Sequence, residues 1–149
     1  MRYLSMMCSL ATLVVSLSAL EAATIHVPGD YATIQDAMNA AVDGDTVLVA
    51  PGTYHERVSF FGKAITLTSE QGPEVTIIDG DQAGSVVTFA SGEGLASVLS
   101  GFTLQNGRGD FEGGGIRIAN ASPTIMRNVI RSNGACAGAG IAIGFGSPT

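Results

Sequence analysis

The block GGGIRIANASPT at 113–124 returns as GAGIAIGFGSPT at 138–149, an offset of 25 residues. Gly115 maps to Gly140, Ile116 to Ile141 and Ile118 to Ile143, and the Ser-Pro-Thr triplets coincide. A unit this short cannot bury its own apolar face, so it must stack on copies of itself. Weaker echoes extend the rhythm. GFTLQNG at 101–107 matches NVIRSNG at 128–134, and AITL at 64–67 precedes VVTF at 86–89 by 22 residues.

The units contain short β-rich runs separated by Gly, Pro, Asn and Asp. From residue 46 onward these are TVLVA (46–50), RVSFF (57–61), AITLTS (64–69), VTIID (75–79), VVTFA (86–90), SVLSGFTL (97–104), GIRI (115–118), TIMRNVI (124–130) and GIAI (140–143). Within them apolar and polar residues alternate, as in Ile116-Arg117-Ile118, which puts Ile on one face and Arg on the other. No helix intervenes to build a βαβ crossover. The predicted class is all-β: a right-handed parallel β-helix, one coil per repeat.

In that geometry Ile65, Leu67, Val87, Phe89, Ile116, Ile118, Ile141 and Ile143 are expected to stack as internal columns. Asn106, Asn128 and Asn133 fall near strand ends. Asparagine tolerates left-handed backbone and bonds neighbouring backbone groups, so these are read as structural.

One helix is expected. In YATIQDAMNAA, Ile34, Ala37, Met38 and Ala41 recur at helical spacing over 33–41, with Thr33 or Asp30 as N-cap. It would cap the exposed apolar end of the first coil. The last repeat stops at Ser-Pro-Thr where the preceding one continues into IMRNVI, so the β-helix is expected to be truncated there. Its last coil would then fray or pair with another chain.

Residues 1–23 have the layout of a secretory signal peptide: Arg2, an apolar run from Leu10 to Leu20, and small residues at Ala22 and Ala23. The run is short for a membrane span, and Cys8 precedes it, unlike a lipid-attachment cysteine. The second expected unit, 24–149, holds the cap and the first coils, secreted to the periplasm, cell surface or exterior. Its net charge is −6, as for the whole chain, because the leader holds one residue of each sign. Its basic residues are too few and scattered for a nucleic-acid face. With Cys136 alone after cleavage, no intrachain disulfide can form.

The segment GDYATIQDAMNAAVDGDTVLVAPGTYHERVSF, from Gly29 to Phe60, resembles the N-terminal portion of pectin-lyase-like β-helices, pectinesterases among them. The GGGI…SPTIMRNVIRSN…GAGI pattern is similar to the coils of exported bacterial β-helix repeat proteins. The resemblance implies the fold; many activities share that scaffold. A pectinesterase would place its first catalytic glutamine near Glu112–Gly115, where this chain reads Glu-Gly-Gly-Gly. Its next Gln-Asp pair would fall near Ala137–Gly140, here Ala-Gly-Ala-Gly, and its final aspartate beyond Thr149. That catalytic set does not carry over.

The resemblance also raises β-helix polysaccharide lyases, which use Ca²⁺ held by carboxylates together with a basic residue. Asp79 and Asp81, or Asp110 and Glu112, would be the carboxylates, with Arg108 or Arg117 nearby. Asp79-Gly80-Asp81 also reads as an ordinary polar turn, and Asp110 and Glu112 as a solvated loop. His26 lies at the start of the mature chain, and His55 sits in the PGTYHERV turn, away from any expected cleft. Cys136 reads as an incidental buried or loop thiol.

No catalytic set is assigned, and no metal or cofactor is expected, Ca²⁺ being the one ion raised. The reading is an exported, non-catalytic module for contact with polysaccharide or cell-envelope carbohydrate. Self-association through the uncapped coil is the other expected partnership. The module is expected to be the N-terminal part of a longer protein, and the alternative is a pectin-lyase-like polysaccharide lyase, hydrolase or esterase whose catalytic coils lie downstream, missing from this chain.

Overall fold

A computed structural model describes residues 21–144 and shows an all-parallel β-solenoid of about five turns. The chain starts with β1 (Thr24–Val27) and α1 (Ile34–Ala40). The first full coil holds β2 (Thr46–Val49), β3 (Gly52–His55) and β4 (Val58–Ser59), and the second β5 (Thr66–Ser69), β6 (Thr76–Asp79) and β7 (Val87–Phe89). The third runs through β8 (Val98–Ser100), β9 (Thr103–Gln105), β10 (Arg108–Glu112) and β11 (Ile116–Ala119). The fourth repeats that order as β12 (Thr124–Met126), β13 (Val129–Ile130), β14 (Gly134–Ala137) and β15 (Ile141–Gly144). No helix among the described residues is long and apolar enough to cross a membrane.

Like strands stack on like across coils and form three walls. The first has order β1-β2-β5-β8-β12, the second β3-β6-β9-β13 and the third β4-β7-β11-β15, with β10-β14 as a two-stranded addition. Each wall carries an inward column. Val47, Leu67, Leu99 and Ile125 are in register on the first; Tyr54, Ile78, Leu104 and Ile130 on the second; Val58, Val87, Ile116 and Ile141 on the third. Phe60 and Phe89 stack with ring centroids 4.3 Å apart, adding aromatic contact where the third wall begins.

The 25-residue repeat is the actual register, with Ile116 opposite Ile141 and Ile118 opposite Ile143. Three expectations need correction. Ile65 and Leu67 belong to the first wall and Val87 and Phe89 to the third, so the AITL/VVTF echo joins different walls. In the 101–107 echo the register is one residue off, with Thr103 opposite Val129. Ile141 and Ile143 occupy column positions, yet are 43% and 63% exposed, because no described coil covers the far side of β15.

The helix caps the first coil, as its apolar stripe predicts: Ile34, Ala37 and Met38 are buried, and it packs on β1, β2 and β4. Thr33 is the N-cap, its side chain accepting from the Asp36 N–H. Glu56 accepts from the backbone N–H groups of Ile34 and Gln35, both at 2.9 Å. At the other end Lys63 Nζ donates to the carbonyls of Met38, Asn39 and Ala41. An anion at the N-terminus and a cation at the C-terminus match the helix dipole.

The asparagines bond the adjacent coil. Asn128 Oδ1 accepts from Phe102 N–H and its Nδ2 donates to Leu99; Asn133 makes the same pair of bonds to Gly107 and Leu104. Most of the expected leader, 1–20, lies outside the described residues, as does 145–149.

Candidate functional site

The end of the second wall turns the same corner in every coil, and polar residues line it. His55, Asp79 and Gln105 are in register as the last residues of β3, β6 and β9. Beyond them the chain enters left-handed backbone at Asp81 (φ 47), Gln82 (φ 55), Asn106 (φ 54) and Ser132 (φ 54). These residues put short polar side chains where the solenoid bends, so neighbouring coils build a continuous polar ridge.

Asp79 is the anchor of the ridge. It is buried at 5% exposure, yet charged donors are absent from its immediate bonds: Gln105 Nε2 and Asn106 Nδ2 donate to its Oδ2 at 2.9 and 2.7 Å, and Asp81 N–H donates to its Oδ1. Burial alone would raise its pKa; the amide donors, aided by the His55 charge, outweigh it and hold the carboxyl below its ordinary 3.8. Asp79 is therefore an ionised carboxylate built into the wall.

His55 and Asp81 stand over it on the exposed side. His55 Nδ1 lies 2.9 Å from Asp81 Oδ1, and both side chains are 59% exposed. The hydrogen bond to Asp81, and then its charge, raise the imidazole above its ordinary 6.5. His55 was expected to lie away from any cleft. The fold brings it, one coil before Asp81, within hydrogen-bonding distance of that residue, which lines a cavity of about 410 Å³ together with Asp79, Gln82 and Asn106.

A larger cleft of about 580 Å³ shares Gln82 with that cavity. The second, third and fourth coils form it. Gly107, Gly109 and Gly134 contribute to its lining, and Arg108, Gln82, Ser132 and Cys136 bring polar side chains. Glycine is required where the backbones touch: a Cβ on Gly107 would run into the Gly114 carbonyl. Arg108 is exposed at the edge of β10.

Other sequence candidates are placed differently. Asp110 and Glu112 belong to strand β10, paired with β14, and not to a loop; their side chains lie outside the described ones. Cys136 is exposed on β14, in the cleft, where a buried or loop thiol was expected. Arg117 points outward from the third wall, away from the paired Ile116 and Ile118 columns. His26 lies on β1, its carbonyl accepting from Asp30 N–H.

The Asp79–Asp81 turn does not fit Ca²⁺. That ion takes six to eight oxygen ligands, whereas this turn offers two carboxylates, one of whose oxygens already holds two amide donors, and its third close group is an imidazole nitrogen. The cleft presents polar side chains beside glycine backbone, and the ridge presents two carboxylates and an imidazole close together. Comparison of the chain with protein-family models, curated proteins and solved structures found no match.

Proposed function

We propose that the chain is an exported, non-catalytic β-solenoid module that contacts polysaccharide or cell-envelope carbohydrate through the cleft across its second, third and fourth coils. The observation that carries this reading is the cleft itself: about 580 Å³, glycine-lined, with Arg108, Gln82 and Ser132 as donors on adjacent coils. A sugar chain presents hydroxyls at short, regular intervals. A solenoid presents donors at the regular spacing of its strands, about 4.8 Å per coil, so several residues of one chain can be held at once. Exposed backbone at Gly134 lets the ligand approach closely. Arg108 supplies a planar fork for a sugar carboxylate or a pair of hydroxyls.

The Gly29–Phe60 segment that resembles pectin-lyase-like proteins and the leader-like residues 1–23 support an exported, carbohydrate-directed role. The full chain, assayed by affinity electrophoresis against pectic, other acidic and neutral polysaccharides, should be retarded by at least one class and release no shortened product. Product release would replace this reading with the polysaccharide-degrading enzyme. Absence of retardation by every class would reject both.

A further inference from the structure

We propose that His55, Asp79 and Asp81 form a binding site for a first-row divalent transition metal such as Zn²⁺. One nitrogen and two carboxylate donors from adjacent coils have ligand atoms all within 4.8 Å of one another. Bonds of about 2.0–2.2 Å to such an ion need these atoms to draw together slightly. The two that must move, on His55 and Asp81, belong to side chains that are 59% exposed.

Three further features fit a metal rather than a plain salt bridge. Asp79 is fixed as coordinating carboxylates are, by outer donors: Gln105 and Asn106 occupy its Oδ2, leaving Oδ1 with the Asp81 N–H and a remaining lone pair. Among the described residues the ion-pair partner of Asp81 is His55, charged only when protonated, while Asp79 is held by amide donors alone. With a neutral imidazole the cluster carries two uncompensated negative charges, one of them built into the wall, and a divalent cation neutralises both. The adjoining cavity of about 410 Å³ has room for water to complete the coordination. The mixed donor set selects an imidazole-accepting ion over Ca²⁺ or Mg²⁺.

The site is independent of the polysaccharide reading. The test is calorimetric titration of the untagged full chain with Zn²⁺ alone and with Ca²⁺ alone, for the wild type and for His55→Ala and Asp81→Asn. Both substitutions are at exposed positions that no core contact depends on, and circular dichroism confirms the fold. The expected result is one Zn²⁺ per chain, tighter than Ca²⁺, with each substitution weakening Zn²⁺ by about tenfold or more. Failure to bind Zn²⁺, Ca²⁺ binding at least as tight, or Zn²⁺ affinity unchanged by either substitution would overturn the site.

Discussion

The side-chain amide of Gln35 bonds the free edge of Ser59 as a further strand would: Oε1 accepts from the Ser59 N–H at 2.8 Å and Nε2 donates to the Ser59 carbonyl at 3.3 Å. Ser59 ends β4, the edge strand of the third wall. The helix therefore does more than cover apolar surface; it supplies hydrogen bonds that an edge strand would otherwise offer to another chain. Gln35→Ala should cost about 1–3 kcal/mol, because it removes both bonds and leaves backbone groups to find water. Urea unfolding reads this directly, and an unchanged midpoint would mean the edge needs no such partner.

Close backbone approach also sets which glycines can be replaced. At Gly107 an added Cβ meets the Gly114 carbonyl of the same coil, whereas at Gly94 nothing lies within 4 Å. Gly107→Ala should destabilise by about 1–3 kcal/mol or more, since backbone must shift, and Gly94→Ala should be nearly neutral. Equal effects in thermal unfolding would contradict the close approach of Gly107 to the Gly114 carbonyl within the third coil.

The columns make a graded prediction about the core. Phe89 is fully buried against Phe60, and Phe89→Ala should cost about 3–5 kcal/mol. Ile143, aligned with the same column but 63% exposed, should cost far less on truncation. Denaturation of the two variants side by side distinguishes a column position from a buried one.

Asp45 links the fold to acidity. Its carboxylate accepts from the N–H groups of Val42 and Ala23, both at 2.8 Å, and these bonds hold its pKa below 3.8. A depressed carboxyl contributes stability that is present above its unfolded value and lost as pH falls through the lower folded value. Unfolding midpoints measured from about pH 5 down to pH 2 should therefore fall less steeply in Asp45→Asn than in the wild type. Parallel curves would show that Asp45 is not linked to folding.

The periodicity of Ile116, Ile118, Ile141 and Ile143 made the coil legible, because columns repeat the same residue type at the same wall. The walls themselves were harder to read. SVLSGFTL and TIMRNVI look like single strands, yet Gly101 (φ 83) and Arg127 (φ 57) turn a corner inside each, and arginine gives no turn signal. RGDFE and GACA lack apolar alternation; β10 and β14 exist because each pairs with the other across coils. Successive first-wall strands start at Thr46, Thr66 and Val98, so the coil length varies and a fixed spacing could not place Ile65 against its true neighbours.

The ridge was half legible. Asp79 and Asp81 stood out as a turn, but His55 did not, since it sits in a different run of sequence. The signal that finds it is the coil period: His55 and Asp81 are 26 residues apart, one coil, which is also the separation of Asp79 from Gln105.

The most direct test of the functional account is the affinity of the full chain for an oligosaccharide from the polysaccharide class that retards it, measured by calorimetry for wild type and Arg108→Ala. The account predicts binding that falls by about tenfold on losing the charge-assisted bonds of Arg108, with no product formed by either protein. Binding that Arg108→Ala leaves unchanged would contradict it, because the carbohydrate would then lie on some surface other than the cleft across the second, third and fourth coils.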